Sequence, residues 1–273
     1  APGERIWSSR FVGDRGYLVT FRNIDPLWTL DLRDPTNPQV IGELEVPGVS
    51  TYIHPLDENH LLTIGIGGDE NGLDWGSTQL SLFDVTDFAN PALASKLELS
   101  PVAADEKHMW ASWSEATYEH KAFQYWNGQL AIPLSTYRNT WDEDRQTYHY
   151  EYVSKLVLVD VSTTAGLTIY DGSSIDHSMF YNGNDEWYWD RPDIRRTVFI
   201  DDYVYAISQQ GVTVHRLDTM ELSDYEGLPV SQPYKEPNYV DDRQEEKEPD
   251  PDDEGSEGDD PDGDNTTNSG SGT

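Results

Sequence analysis

Leu27–Val46 reads LWTLDLRDPTNPQVIGELEV and Leu80–Leu99 reads LSLFDVTDFANPALASKLEL. The two segments match at an alternating apolar run, at Asp31 and Asp84, at an Asn-Pro turn (Asn37-Pro38, Asn90-Pro91) and at a second alternating run, with the aspartates 53 positions apart. Self-similarity at such a period marks repeated supersecondary units. A third copy, Lys155–Ile175, keeps the run and Asp160 but replaces the Asn-Pro turn with Thr-Ala-Gly, and a fourth, Gly211–Leu222, is the most degraded. Each copy follows another hairpin pattern: RFVGDRGYLVTF from Arg10, HPLDENHLLTIGI from His54, FQYWNGQLAIPL from Phe123 and VFIDDYVYAIS from Val198. Period-two alternation around Gly, Asn and Asp turns is the signal of antiparallel strands. Two hairpins per repeat make a four-stranded sheet, which is one β-propeller blade.

The expected fold is therefore all-β, with about four blades at 6–48, 49–100, 116–175 and 195–228 within 1–230. No long segment carries the i, i+3, i+4 apolar spacing of a helical repeat. The insertion between Tyr137 and Tyr150, RNTWDEDRQTYHY, is expected to protrude from a propeller face. Beyond Val230 the chain turns to Pro, Glu, Asp, Gly and Ser, too poor in aliphatic residues to offset ordering entropy, so 231–273 reads as a disordered acidic tail.

The 273 residues are 36% apolar and 12% aromatic, enough for a core, with 18 basic and 51 acidic side chains for a net charge of −33. That balance repels nucleic acid and anionic membranes, and makes cations natural partners. Glu248–Asp264 holds ten acids and no base. This stretch only loosely echoes calcium-loop spacing and lacks the twelve-residue EF-hand loop. Without cysteine there is no disulfide framework, thiolate metal site or cysteine nucleophile. No apolar run is long enough for a membrane span, and the start at Ala1 reads as a processed or excised fragment.

The run APGERIWSSRF through DPLWTLDLRDPTNP to HLLTIGIG, followed by LSLFDVTDFANP, YEHKAF, IRRTVFIDDYVYAIS and GVTVHRLDTMEL, resembles the bacterial and archaeal secreted proteins whose C-terminal β-propeller is distantly related to WD40 repeats. The resemblance implies a secreted or cell-surface propeller that continues N-terminal to Ala1, and it brings no catalytic residues. Four blades alone would close into a small propeller or leave two exposed edges, which invite association.

Candidate chemistry falls in three groups. Thr-Tyr-x-His recurs at His54 and His120, and His177 precedes the fourth blade; converging imidazoles would hold a transition metal, whereas repeat packing would place the same residues structurally. Asp31, Asp84 and Asp160, with Asp34 and Asp87 three residues after the first two, suit turn hydrogen bonding, or calcium between blades. Trp126, Trp141, Tyr148, Trp187, Tyr188, Trp189 and Arg191 lie in or near expected loops, where aromatic platforms stack on sugar rings or grip a peptide, or else seal blade junctions. No nucleophile elbow, P-loop or dinucleotide fingerprint is present, and no carboxylate spacing selects a glycosidase pair. The expectation is an extracytoplasmic binding or scaffold module engaging a protein, peptide or polysaccharide, with a metal-binding propeller as the alternative and a glycan hydrolase as the minor one.

Overall fold

The computed structural model describes residues 4–21, 25–69, 72–99, 109–142, 145–180 and 193–229. The chain divides into Ala1–Val230 and Ser231–Thr273; the second unit, where the acidic tail is expected, lies outside the described residues.

Four antiparallel sheets follow one another along the chain, each with its strands in chain order. Blade 1 is β1 (Arg5–Val12), β2 (Arg15–Phe21), β3 (Asp25–Asp31) and β4 (Gln39–Val46). Blade 2 is β5 (Val49–Pro55), β6 (His60–Asp69), β7 (Gly72–Asp84) and β8 (Ala92–Leu99). Blade 3 holds β9 (Met109–Trp113), β10 (Gln124–Trp126), β11 (Gln129–Asp142), β12 (Thr147–Ser162) and β13 (Gly166–Asp176). Blade 4 is β14 (Ile194–Ile200), β15 (Tyr203–Ser208), β16 (Gly211–Arg216) and β17 (Leu222–Gly227). These are the blades of a β-propeller.

Blade 3 has a fifth strand because its first strand is broken in two. Both β9 and β10 pair with β11, one at Thr136 and Arg138 and the other at Ala131. Between them the chain leaves the sheet in two 3-10 turns, Glu115–Thr117 and His120–Ala122. Buried Ser114 starts the excursion: its hydroxyl donates to the Pro133 carbonyl at 2.6 Å and accepts from the Ala116 amide. A serine at this N-cap position satisfies an amide that the turn would orphan.

The repeated aspartates build the turns. Asp31 and Asp84 accept the backbone N–H of Arg33 and Thr86, and Asp34 and Asp87 accept those of Thr36 and Ala89. The amides of Asn37 and Asn90 then close each turn on the carbonyls of Asp34 and Asp87, both at 3.0 Å. These side chains mimic a backbone turn, which is why the Asp-x-x-Asn-Pro pattern recurs. Asn127 and Gly128, both at positive φ, close the β10–β11 hairpin in the same spirit.

Alternation gives each sheet two apolar faces, and the core lies between sheets. On the third strand of each blade, Leu80 and Leu82 point forward to the next blade while Phe83 belongs to the cluster shared with the preceding one. Leu156 and Leu158 likewise face forward, toward Val204 and Ala206, while Val157 and Val159 face back. Thr29 on the forward face of blade 1 donates to the Phe88 carbonyl at 2.6 Å. There Gly42 permits a close approach: a Cβ would meet the Ala89 and Phe88 carbonyl oxygens at 2.7 and 2.8 Å.

Candidate functional site

The pairing of β2 with β3 sets Asp31 opposite Arg15, and the equivalent pairs are His60 with Asp84 and Gln129 with Asp160. All first and third hairpin turns therefore share one end of the blades. The second-to-third strand connections, and those between blades, share the other.

From that other end the insertion in blade 3 projects as a β-ribbon. β11 and β12 stay in register from Gln129↔Asp160 to Asp142↔Thr147, so Tyr137 pairs with Tyr152, Asn139 with Tyr150 and Trp141 with Tyr148. Side chains alternate along a strand, and directly opposed residues share a face. By this register Tyr137, Asn139 and Trp141 of β11 share one face with Tyr148, Tyr150 and Tyr152 of β12, and Arg138, Thr140 and Asp142 share the other with Thr147, His149 and Glu151. At the base, Trp113 of β9 pairs with Ser135 and lies on the aromatic face, its ring 5.8 Å from that of Tyr152.

Of the remaining expected ligand residues, Trp126 does not join this face. Trp126 is 58% exposed on β10 at the opposite, turn end. Trp187, Tyr188, Trp189 and Arg191 lie outside the described residues.

The three histidines occupy three different surroundings. His54 is half-buried on β5 among the rings of Tyr52, Phe123 and Tyr125, 6.5, 5.4 and 5.5 Å away, and burial, reinforced by Arg10, lowers its pKa. His120 is exposed in a 3-10 turn beside Glu119, because the Ser114-capped excursion takes the second Thr-Tyr-x-His out of the strand. His177 is fully buried between blades 3 and 4, with Nε2 3.0 Å from Thr213 Oγ1. Among the described residues no group of three or more His, Asp or Glu could hold a metal ion, so the expected convergence does not form there. A shared sequence pattern did not translate into a shared position.

Two features escape a sequence reading. The first is a pair of clefts of about 310 and 490 Å³ at the turn end of the blade 1–2 junction, both lined by Asp14 and Arg15. Arg15 lies over the Phe88 ring at 5.1 Å and donates to the Glu58 carbonyl at 2.8 Å. Arg33 forks onto Asp31 in the larger cleft, and its hydrogen bonds hold the Asp31 carboxyl down to about 2. Walls of mixed charge suit a polar ligand of low net charge. The available signal was the bases themselves, scarce in so acidic a chain.

The second is Glu115, which joins the blade 3 excursion to β14. Arg195 Nε and Nη2 donate to it at 2.8 and 3.0 Å, and Arg196 Nη1 at 2.7 Å. Burial would raise the Glu115 pKa, but these two guanidinium groups prevail and lower it.

Comparison with known proteins follows this architecture. An uncharacterized protein of Methanocaldococcus jannaschii is 32% identical over 211 residues, covering 76% of this chain and 25% of its own length. An uncharacterized protein of Archaeoglobus fulgidus is 30% identical over 220 residues, covering 80% and 27%. The chain thus spans about a quarter of the curated relatives it matches. Among solved structures, the AfRom2 CNH domain aligns at 10% identity with a TM-score of 0.30, covering 81% of this chain and 53% of that one. Kluyveromyces lactis Hsv2 aligns at 10% identity and a TM-score of 0.26, covering 82% and 64%. The family model described as a Beta propeller domain matches residues 1–220, and the chain belongs to that family.

Proposed function

We propose that this protein is an extracytoplasmic binding module that holds an uncharged polysaccharide along the aromatic face of the β11–β12 ribbon. The observation that carries the reading is the register, which sets Trp141 opposite Tyr148 and Tyr137 opposite Tyr152 on one face. Directly opposed residues are roughly 5 Å apart and positions four apart on a strand about 13 Å, so the row of aromatic residues is long enough to underlie consecutive sugar rings. Stacking on an aromatic ring contributes about 0.5–1.5 kcal/mol beyond area burial. The net charge of −33 repels sulfated or uronic glycans, which favours a neutral chain. The extracytoplasmic setting draws on the resemblance to secreted propellers.

The test is affinity electrophoresis of the full chain through gels containing a panel of soluble neutral polysaccharides. Trp141→Ala, Tyr148→Ala and Trp113→Ala are each expected to weaken retardation about tenfold, and Thr140→Ala, on the other face, to leave it unchanged. Retention that survives the aromatic substitutions, or no retardation by any neutral glycan, refutes the reading. Retardation abolished by a competing peptide would direct it to a peptide ligand instead.

A further inference from the structure

In a chain with 51 acidic side chains, Arg15 is held by neutral groups. Its guanidinium lies over the Phe88 ring at 5.1 Å and donates to the Glu58 carbonyl at 2.8 Å, and among the described residues no carboxylate pairs with it. Both holding groups belong to blade 2, so this arginine sits inside the blade 1–2 junction. Phe88 is itself fixed: the Tyr17 ring meets it edge-on at 5.8 Å, and the Thr29 hydroxyl donates to its carbonyl at 2.6 Å. A guanidinium positioned by neutral partners keeps its charge for a ligand, and its planar fork matches a carboxylate.

The larger of the two clefts that share Arg15, about 490 Å³, is of a size that holds small molecules. Arg33 also lines it; Asp31 occupies its Nε and Nη2, and its Nη1 has no protein partner among the described residues. The same walls carry Asp14 and Asp87. Asp87 accepts the Ala89 amide on one oxygen and Asn90 Nδ2 on the other, and each oxygen keeps a lone pair for a further donor. Ile41, Phe88 and Ala89 complete the lining with apolar surface.

We propose that this cleft binds a free apolar α-amino acid as its zwitterion, with the carboxylate on Arg15 and Arg33 and the ammonium on Asp14 and Asp87. A simple anion is opposed by the net charge of −33 and by the carboxylates of the cleft itself. A simple cation would leave the Arg15 charge unanswered and lie beside it. A zwitterion meets both signs and brings no net charge. The apolar lining selects a side chain without charge of its own.

Isothermal titration calorimetry of the full chain tests this with valine, leucine, phenylalanine, lysine and aspartate as probes. At least one of the three apolar amino acids is expected to bind with one-to-one stoichiometry, and lysine and aspartate to bind more weakly. For the amino acid that binds, its carboxamide and its N-acetyl derivative should each lose about tenfold in affinity, since each lacks one of the two charges. Arg15→Gln should weaken binding by a similar factor, and so should Asp14→Asn, which alters only an exposed side chain, both with native far-UV circular dichroism. Silence from all three apolar probes overturns the proposal. So does an N-acetyl derivative that binds as well as its parent, which would mark a plain carboxylate site, or a carboxamide that does so, which would mark a cation site. Affinity unchanged in both folded variants overturns it as well. None of these readouts involves the aromatic ribbon, so failure here is distinct from failure of the polysaccharide reading.

Discussion

Acid should loosen the junction of blades 3 and 4 through His177. Two imidazoles converge on one hydroxyl there, with His177 Nε2 and His215 Nε2 each 3.0 Å from Thr213 Oγ1. His215 Nδ1 is 3.2 Å from the Met220 carbonyl, which can only accept, so that nitrogen carries the proton. His215 Nε2 then accepts from the Thr213 hydroxyl, whose oxygen accepts from His177 Nε2–H. This leaves His177 Nδ1 buried with no hydrogen-bond partner among the described residues. A second proton on His177 would sit there unsatisfied, and burial, with His215 adding to it and Asp176 opposing it, pushes the His177 pKa from 6.5 down to about 4.

Because the folded pKa is the lower one, the native state gains full stability from this group above pH 6.5. The gain is lost as pH falls from there toward 4, where it levels off. The full shift corresponds to about 3 kcal/mol, of which about 2 kcal/mol is lost by pH 5. The assay is urea unfolding of the native chain and of His177→Phe at pH 7.5, 6, 5 and 4.5. The native stability should fall relative to the variant by about 2 kcal/mol at pH 5, since the difference cancels the titration of the carboxylates. Parallel curves for the two proteins, or a His177 imidazole that titrates near 6.5 by NMR in the folded state, would refute the reasoning.

Two further outcomes concern the other junctions. Gly42→Ala should destabilise the chain by roughly 1–3 kcal/mol in urea unfolding, because its Cβ meets two backbone carbonyl oxygens of blade 2, which cannot turn away, and the Thr29 hydroxyl that is bonded to one of them. Glu115→Gln should cost about 1–3 kcal/mol at neutral pH, as it removes the carboxylate on which Arg195 and Arg196 converge, and the loss should shrink below the ordinary carboxylate range.

Much of the architecture was legible because it rests on local rules. The Asp-x-x-Asn-Pro turns work through hydrogen bonds two and three residues apart, so Asp34 and Asp87 announce them without reference to the rest of the chain. The break in blade 3's first strand was not legible. It depends on Ser114 reaching the Pro133 carbonyl, a contact made only once β11 is in place. The same excursion separates the two Thr-Tyr-x-His histidines, since it sets His120 in a turn while His54 stays in a strand. The clefts beside Arg15 form where two blades meet, and Phe88 comes from a turn 73 positions away in the chain.

By itself the amino-acid sequence determined that the chain is a series of four antiparallel sheets with Asp-built turns and an aromatic-rich insertion, because alternation and turn chemistry are written in neighbouring residues. Only the tertiary structure decided which side of each sheet faces forward and which residues of the insertion share a face with Trp113. It also decided that His177 is sealed against Thr213. Those outcomes depend on strand register and sheet stacking, which join residues far apart in the chain and which no local pattern specifies.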